Sequence, residues 1–480
     1  MAGKLVSLLG IVGFVGIAFA FSKNRSKIDW KLVGIGIALQ FIFAVLVLKT
    51  TAGKNFFSAV NTVVDKLLGF TTEGSMFIFG PKLMGGEGFG FVFAFQVLPT
   101  IIFFSSLMAL LYHVGVMQVV VNFLSKIMVK ALGTSGAETL SATANIFVGQ
   151  TEAPLLIKPY VSKMTQSELM VVMTGGFATV AGGVLAAYVA ILKPYFPDIA
   201  GHLMAASIMS APAALVMAKI LVPETEEPAT KGAVKIDVET QDANAIEAAA
   251  SGAGVGLNLA LNVGAMLLAF IALIAMFNGI LAFVGGLFGF PDLSLSLITS
   301  WLFAPLALLM GVPTDECLIV GDLLGKKLII NEFVAYSELG TMLSQPGNQL
   351  SGRSVVILTY ALCGFANLSS IGIQIGGIGG IAPERKGDLA RLGLIAVLGG
   401  TLACFQTATI AGVLIDQSES QLVAPAETSN PMPTPSMTPA QSPSPNAVAS
   451  PAPVMEQSEP DATPAPSSSP DSAESAAGAE

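Results

Sequence analysis

The sequence predicts an all-α polytopic membrane protein with about eight transmembrane helices, two re-entrant hairpins, interfacial helices and an inverted repeat. Of its 480 residues, 53% are hydrophobic and only 11% are charged, against about 25% charged in an ordinary soluble domain. A polar row interrupts an apolar stretch near residue 150, and a similar arrangement recurs in the second half. Fifty glycines suit close helix packing and broken helices in lipid.

The chain opens with two predicted spans, 5–21 and 32–48. Between them stands a basic cluster, and by the positive-inside rule it stays in the cytoplasm. The N-terminus is therefore expected outside. A signal peptide with a cleavage-like site at 18–20 is the alternative. The cluster consists of Lys23, Arg25, Lys27 and Lys31.

Residues 52–88 repeat apolar positions at helical spacing with charges between them, which is typical of an interfacial helix. Residues 89–112 are predicted as the third span. We group 1–115 as an N-terminal scaffold. A second amphipathic piece, 116–131, carries lysines and is expected on the cytoplasmic side.

Residues 149–154 read GQTEAP, with only about ten residues on each side before polar positions return. A spanning helix needs about 20 apolar residues, so this stretch predicts a re-entrant hairpin that enters from the cytoplasm. Non-helical backbone at that depth must be buried in protein or line a cavity. A carboxylate there is a functional candidate. The alternative pairs Glu152 with Lys158, although six residues is a poor spacing for a helical ion pair.

The first transport half is predicted over 116–222. After the hairpin comes a span at 168–192, whose glycine-rich middle, 175–183, predicts a break that frees backbone groups. Residues 202–222 cross back.

A charged cytoplasmic connection is predicted at 223–250, followed by a long scaffold helix within 251–290. The scaffold helix is expected because residues 254–288 are almost continuously apolar.

The second transport half, 291–415, is predicted to repeat the first. Residues 296–312 and 317–336 are expected to form another short-armed hairpin, with a polar turn near Gly325, Asn331 and Glu332. A span at 354–380 is interrupted at 364–372 and resembles the break in the first half, since Gly-Phe-Ala occurs in both. Paired interrupted segments in two halves predict a binding site at the membrane midplane.

The basic segment 383–386 is expected in the cytoplasm, and 392–415 is the last predicted span, which places both termini outside. The tail 416–480 is rich in Pro, Ser and Ala and is expected to be disordered. Three cysteines, Cys317, Cys363 and Cys404, lie in apolar surroundings and are predicted to be packing residues.

Three motifs carry a family resemblance: GQTEAPLLIKPY at 149–160, NEFVAY at 331–336 and GFAN at 364–367. Together they resemble the concentrative nucleoside transporter family over roughly 90–415. The resemblance implies a sodium/nucleoside symporter in the bacterial inner membrane. It also implies a homotrimer with a fixed scaffold and a moving transport part, an elevator mechanism. Nothing in the charge pattern suggests nucleic acid.

Carboxylates accept strong hydrogen bonds from hydroxyls, and an amide both donates and accepts. We therefore expect Glu152, with Gln150 and Thr151, to bind the base edge, and Glu332, with Asn367 and Ser370, to hold the ribose. The resemblance implies the same division, with Val184 beside the base, while Phe365 offers either an apolar face or a core side chain. The predicted substrate-binding residues are Gln150, Thr151, Glu152, Val184, Glu332, Phe365, Asn367 and Ser370.

Neutral oxygen atoms near the first hairpin tip suit a hard cation, and the resemblance implies a sodium site there. The predicted ligands are Asn145, Val148, Thr179 and Val180. The alternative is that these groups only cap two broken helices.

Other functions remain open at this stage. Protons are an alternative driving ion, and a membrane gate or regulatory protein is a function of another class. An intramembrane hydrolase is disfavoured, because the two histidines, His113 and His202, belong to no HExxH motif and GxSxG is absent. We predict a transporter rather than an enzyme.

Overall fold

The computed structural model describes residues 2–84, 92–231, 242–345, 347 and 350–415. Within those ranges every regular element is a helix, which confirms the predicted all-α class. The predicted disordered tail at 416–480 lies outside the described residues.

The N-terminal part follows the predicted order of spans and interfacial helix. The side chain of Asp29 caps α2 by accepting hydrogen bonds from two backbone N–H groups. The amphipathic α3 bends at Gly80, whose φ of 77° lies in the left-handed region. The helices are α1 (Ala2–Ala20), α2 (Trp30–Lys49), α3 (Thr51–Leu83), α4 (Phe93–Gln96) and α5 (Leu98–His113).

In the first transport half, two short arms flank a non-helical tip, as a re-entrant hairpin requires. The following span is broken over 179–181, within the glycine-rich stretch 175–183 where a break was predicted. The glycines at 175 and 176 are helical and serve close packing instead. The elements are α6 (Val116–Leu132), α7 (Gly136–Ala144), a 3₁₀ helix (Ala153–Ile157), α8 (Lys158–Val161), α9 (Gln166–Ala178), α10 (Gly182–Leu192) and α11 (Ile199–Leu221).

The long helix α12 runs over Ala245–Leu287 and is 43 residues long. It begins inside the predicted connection 223–250, because Asn244 caps it with two hydrogen bonds. Its first turns pack closely on α5: a Cβ atom at Gly256 would lie 2.7 Å from the Cα of Ile102. On another side, α5 meets α10, where a Cβ at Gly183 would come within 3.3 Å of the carbonyl oxygen of Ile101.

The second half corrects one prediction. The proposed arm 317–336 is two helices, because the chain leaves helical geometry at Ile330 and Asn331 caps a new helix by accepting from the N–H of Val334. The hairpin is therefore α14–α15, with Ile330 and Asn331 at its tip, and α13 precedes it. The helices are α13 (Leu295–Leu309), α14 (Cys317–Ile329), α15 (Glu332–Ser344), α16 (Gly352–Leu362), α17 (Ser369–Ile381) and α18 (Lys386–Leu414).

With this correction the two halves have the same order of elements: a helix, a first arm, a tip, a second arm, a broken helix and an unbroken helix. Their caps also correspond. In the first half the Ser135 hydroxyl before α7 donates to Glu168 of α9 at 2.5 Å. In the second, Ser351 before α16 donates to Glu316 before α14 at 3.1 Å. Each hydrogen bond joins the residue before the first arm of a hairpin to the start of the broken helix that follows.

Seven helices of the described chain are long and apolar enough to cross a membrane. The broken pair α16–α17 consists of 11 and 13 residues, each too short alone, and together it supplies the eighth predicted span. The seven are Gly3–Ala20, Trp30–Lys49, Phe93–His113, Gln166–Leu192, Ile199–Leu221, Ala245–Leu287 and Pro383–Leu414.

Candidate functional site

The two helix breaks touch each other. The backbone N–H of Phe365 donates to the carbonyl of Thr179 at 3.1 Å. Gly364 makes this approach possible, because a Cβ atom there would lie 2.7 Å from the carbonyl oxygen of Phe177 and 2.6 Å from the sulfur of Cys404. The fold thus brings the interrupted backbone of both halves to one place.

The first hairpin tip lies against the first break and against α17. The carbonyl of Phe147 accepts from the N–H of Gly182 at 3.1 Å. The side chain of Gln374 donates to Oε1 of Gln150 at 3.0 Å and to the carbonyl of Met173 at 3.0 Å. No sequence motif marked Gln374 as a site residue. Its position as a single amide in an otherwise apolar helix was the one feature that could have indicated it.

Glu332 begins the second arm of the second hairpin and is buried. Its carboxylate accepts from the hydroxyl of Tyr188 at 3.0 Å and from Nδ2 of Asn367 at 2.9 Å. The backbone N–H of Ser370 donates to Oδ1 of Asn367 at 2.9 Å. Three residues assigned to ribose binding therefore lie together, and Tyr188 joins them although no sequence motif marked it.

The residues assigned to the base lie on the first hairpin tip and nearby helices. The hydroxyl of Thr151 donates to Glu152 at 3.2 Å, and Glu152 is exposed while Gln150 is buried. Val184 is buried in α10 and Phe365 is half-buried at the second break. The carboxylate of Glu152 is thus available to a ligand.

The predicted ion ligands occupy the first hairpin tip and the first break. Asn145 is fully buried, and its Nδ2 donates to the carbonyl of Ser141 at 3.0 Å, while its Oδ1 has no hydrogen-bond partner. An unpaired buried acceptor costs about 1–3 kcal/mol. The hydroxyl of Thr179 donates to a backbone carbonyl, which leaves its lone pairs free.

Val148 and Val180 lie outside helices, and no described backbone N–H donates to either carbonyl. The available donors are thus neutral oxygens, which suit a hard cation. Within the described ranges no group of three or more His, Cys, Asp or Glu side chains is arranged to hold a metal ion. The three cysteines are free and buried, as expected of packing residues.

A cavity of about 390 Å³ lies elsewhere, between α3, α5 and the end of α10, and none of the predicted site residues lines it. Its lining residues are Leu68, Thr71, Thr72, Ser75, Met84, Gln96, Thr100, Ala190, Lys193 and Pro194.

Comparison with known families matches most of the chain. Residues 9–82 match the Na+ dependent nucleoside transporter N-terminus, and 202–412 match the C-terminus of the same family. Residues 94–195 match a Gate domain described as nucleoside recognition.

Individual proteins agree with these matches. An uncharacterized transporter of Haemophilus influenzae is 48% identical over 86% of this chain and 98% of its own length. Human solute carrier family 28 member 3 is 42% identical, over 86% of this chain and 60% of its own length. The structure of CNTnw in an inward-facing substrate-bound state matches with a TM-score of 0.79 at 46% identity, over 86% of this chain and 98% of that one.

The fold and the paired breaks define a multi-pass membrane transporter. The chain belongs to the sodium-dependent, or concentrative, nucleoside transporter family.

Proposed function

We propose that this protein is a secondary active symporter that couples sodium entry to nucleoside uptake. The observation that carries the proposal is the hydrogen-bonded crossing of the two breaks, with a Glu332–Asn367 group beside it and the unpaired Oδ1 of Asn145 at the first tip. Midplane sites of this construction serve coupled transport in membrane proteins built from two repeats.

In this proposal the second half holds the ribose. The Glu332 carboxylate has about four lone-pair positions, of which Tyr188 and Asn367 use two. The remaining capacity accepts the vicinal hydroxyls of the sugar in charge-assisted hydrogen bonds.

The base is held from the first hairpin tip, where Gln150, Thr151 and Glu152 offer donors and acceptors in a row. Val184 and Phe365 provide apolar contacts to its ring.

Sodium binds at the first tip and first break, with oxygens from Asn145, Val148, Thr179 and Val180. Oδ1 of Asn145 is the strongest support for this site, because it is buried without a hydrogen-bond partner. Binding a cation would offset the free-energy cost of burying that unpaired oxygen. Since Val148 and Gln150 lie on the same hairpin tip, an ion bound there favours the tip geometry that the nucleoside requires.

We further propose a homotrimer in the bacterial inner membrane with both termini extracytoplasmic. Large apolar side chains on the second part of α12, including Leu268 and Phe283, are exposed in the single chain, where lipid or a neighbouring subunit would cover them. Crosslinking of the purified protein in bilayers tests the trimer.

The transport proposal is tested by uptake of labelled uridine into proteoliposomes. An inward sodium gradient should drive accumulation above equilibrium, and an equal potassium gradient should not. Accumulation driven by a proton gradient in the absence of sodium would show that protons, and not sodium, are the coupling ion. No accumulation of any nucleoside under either gradient would refute symport.

A further inference from the structure

A buried lysine lies where the second hairpin meets the second break. Lys327 of α14 is 1% exposed, and its Nζ donates to the carbonyl of Ala361 in the last turn of α16 at 2.7 Å. The proposed transport site described above does not use Lys327.

The contact has a geometrical cause. In a continuous helix the N–H of Phe365 would donate to the carbonyl of Ala361, four residues earlier. Here that N–H donates to Thr179 across the crossing of the breaks. The Ala361 carbonyl therefore loses its helical donor, and the Lys327 ammonium takes the vacant place.

Charge favours a cation at this position. The C-terminal end of a helix carries partial negative charge from its unpaired carbonyls, and Glu332 begins the next helix only five residues after Lys327. An unpaired buried charge costs several kcal/mol, so the ammonium and its negative surroundings compensate each other.

The first half has a corresponding contact between its hairpin and its broken helix, but an uncharged residue occupies the position of Lys327. Lys327 lies two residues before the end of α14, and Ala142 lies two residues before the end of α7. Ala142 packs directly against Gly175 of the broken helix, and the nearby Asn145 oxygen is left unpaired. Among the described residues no Lys or Arg donates to a carbonyl at the end of α9, whereas Lys327 does so at the end of α16.

We propose that the Lys327 ammonium is a resident cation that does for the second half what the transported sodium does for the first. It neutralises the end of the broken helix, so that only the first half requires an exchangeable ion. The inference rests on the proposed sodium site, and it predicts that one sodium is linked to each nucleoside bound.

The test measures uridine affinity against sodium concentration by calorimetry on the purified full chain. The slope of log affinity against log sodium concentration counts the linked ions, because sodium and nucleoside affinities are reciprocally coupled. Wild type should give a slope of about one. Lys327→Ala should bind roughly ten- to a hundredfold more weakly at low sodium, as expected for a lost charged contact. Its slope should rise toward about two, because a second sodium can enter the emptied position.

Neighbouring and conservative variants provide controls. Lys326→Ala removes the adjacent lysine, which instead pairs with Asp322 and Glu338, and should keep wild-type affinity and slope. Lys327→Met fills the space without charge, so its affinity should fall and its slope should stay at about one. Lys327→Arg should bind within a few-fold of wild type.

A sodium-dependent wild type combined with an unchanged slope in Lys327→Ala would overturn the resident-cation proposal while leaving symport intact. If Lys327→Ala does not fold, equal affinity losses in the Met and Arg variants would overturn it. A wild type whose uridine affinity ignores sodium would instead refute the sodium site itself.

Discussion

Exchanging Glu332 for glutamine removes one charge from the proposed ribose group without emptying the space. Glutamine can keep both existing contacts. Its amide oxygen accepts from Nδ2 of Asn367, and its NH₂ group donates to the hydroxyl oxygen of Tyr188, which can accept as well as donate. We therefore expect Glu332→Gln to fold with a free energy of unfolding close to that of wild type.

The effect on binding follows from the lost charge. Hydrogen bonds to charged groups contribute about 1.5–3 kcal/mol, so uridine affinity should fall by roughly ten- to a hundredfold. Free uracil has no ribose, and its weaker affinity should change little. The difference between the two ligands isolates the sugar contact.

Calorimetry with uridine and with uracil at saturating sodium measures this difference. Tyr188→Phe is the matched control, because it removes one donor to Glu332 while the carboxylate and its charge remain, and uridine affinity should stay within a few-fold. Equal losses for uridine and uracil in Glu332→Gln would show that Glu332 does not bind the sugar.

Other substitutions test the ion group, the crossing of the breaks and the charged base of the first hairpin. Asn145→Ala should abolish most of the sodium enhancement of uridine binding; as a mere cap it would cost about 0.5–2 kcal/mol of stability and leave the sodium titration unchanged. Gly364→Ala forces a Cβ to within 2.7 Å of a backbone oxygen, so thermal unfolding should show a loss of about 1–3 kcal/mol. Gly372→Ala meets no atom within 4 Å, and equal stability of the two variants would contradict the tight crossing. Lys219→Met breaks a buried 2.8 Å ion pair with Glu138 and should cost about 3–5 kcal/mol, part of which Glu138→Gln in the same chain should restore. An unchanged melting temperature for Lys219→Met would show that the pair carries no stability.

The sequence predicted the first hairpin well because its polar tip is long. Six residues, 149–154, combine glycine, proline and a carboxylate in an apolar region. The second tip consists of Ile330 and Asn331 only, and the predicted turn near Gly325, Asn331 and Glu332 included it. The predicted arms, 296–312 and 317–336, were nevertheless placed one helix too early, because a two-residue tip interrupts the apolar pattern only briefly.

Residues that act across the two halves were harder to predict. Tyr188 and Gln374 are single polar side chains in apolar helices, and their partners lie 144 and 224 residues away along the chain. The residues next to Tyr188 and Gln374 in the sequence do not indicate which distant residues they contact. Glycine function was also ambiguous: Gly176 was assigned to the break, but it is helical and makes room for Gln150.

The hydrogen-bonded crossing of the breaks has a mechanical consequence. Bonds from Phe365 to Thr179 and from Gln374 to Gln150 join the two halves at the site itself. Separating the two halves to release a ligand would break both hydrogen bonds. Moving the two halves together relative to α5 would break neither. Under the proposed transport mechanism such a block would move past α5 on the face where Gly183 lies close to the backbone of Ile101. A larger side chain at Gly183 would then slow transport without changing the affinity for the nucleoside, which is set within the block.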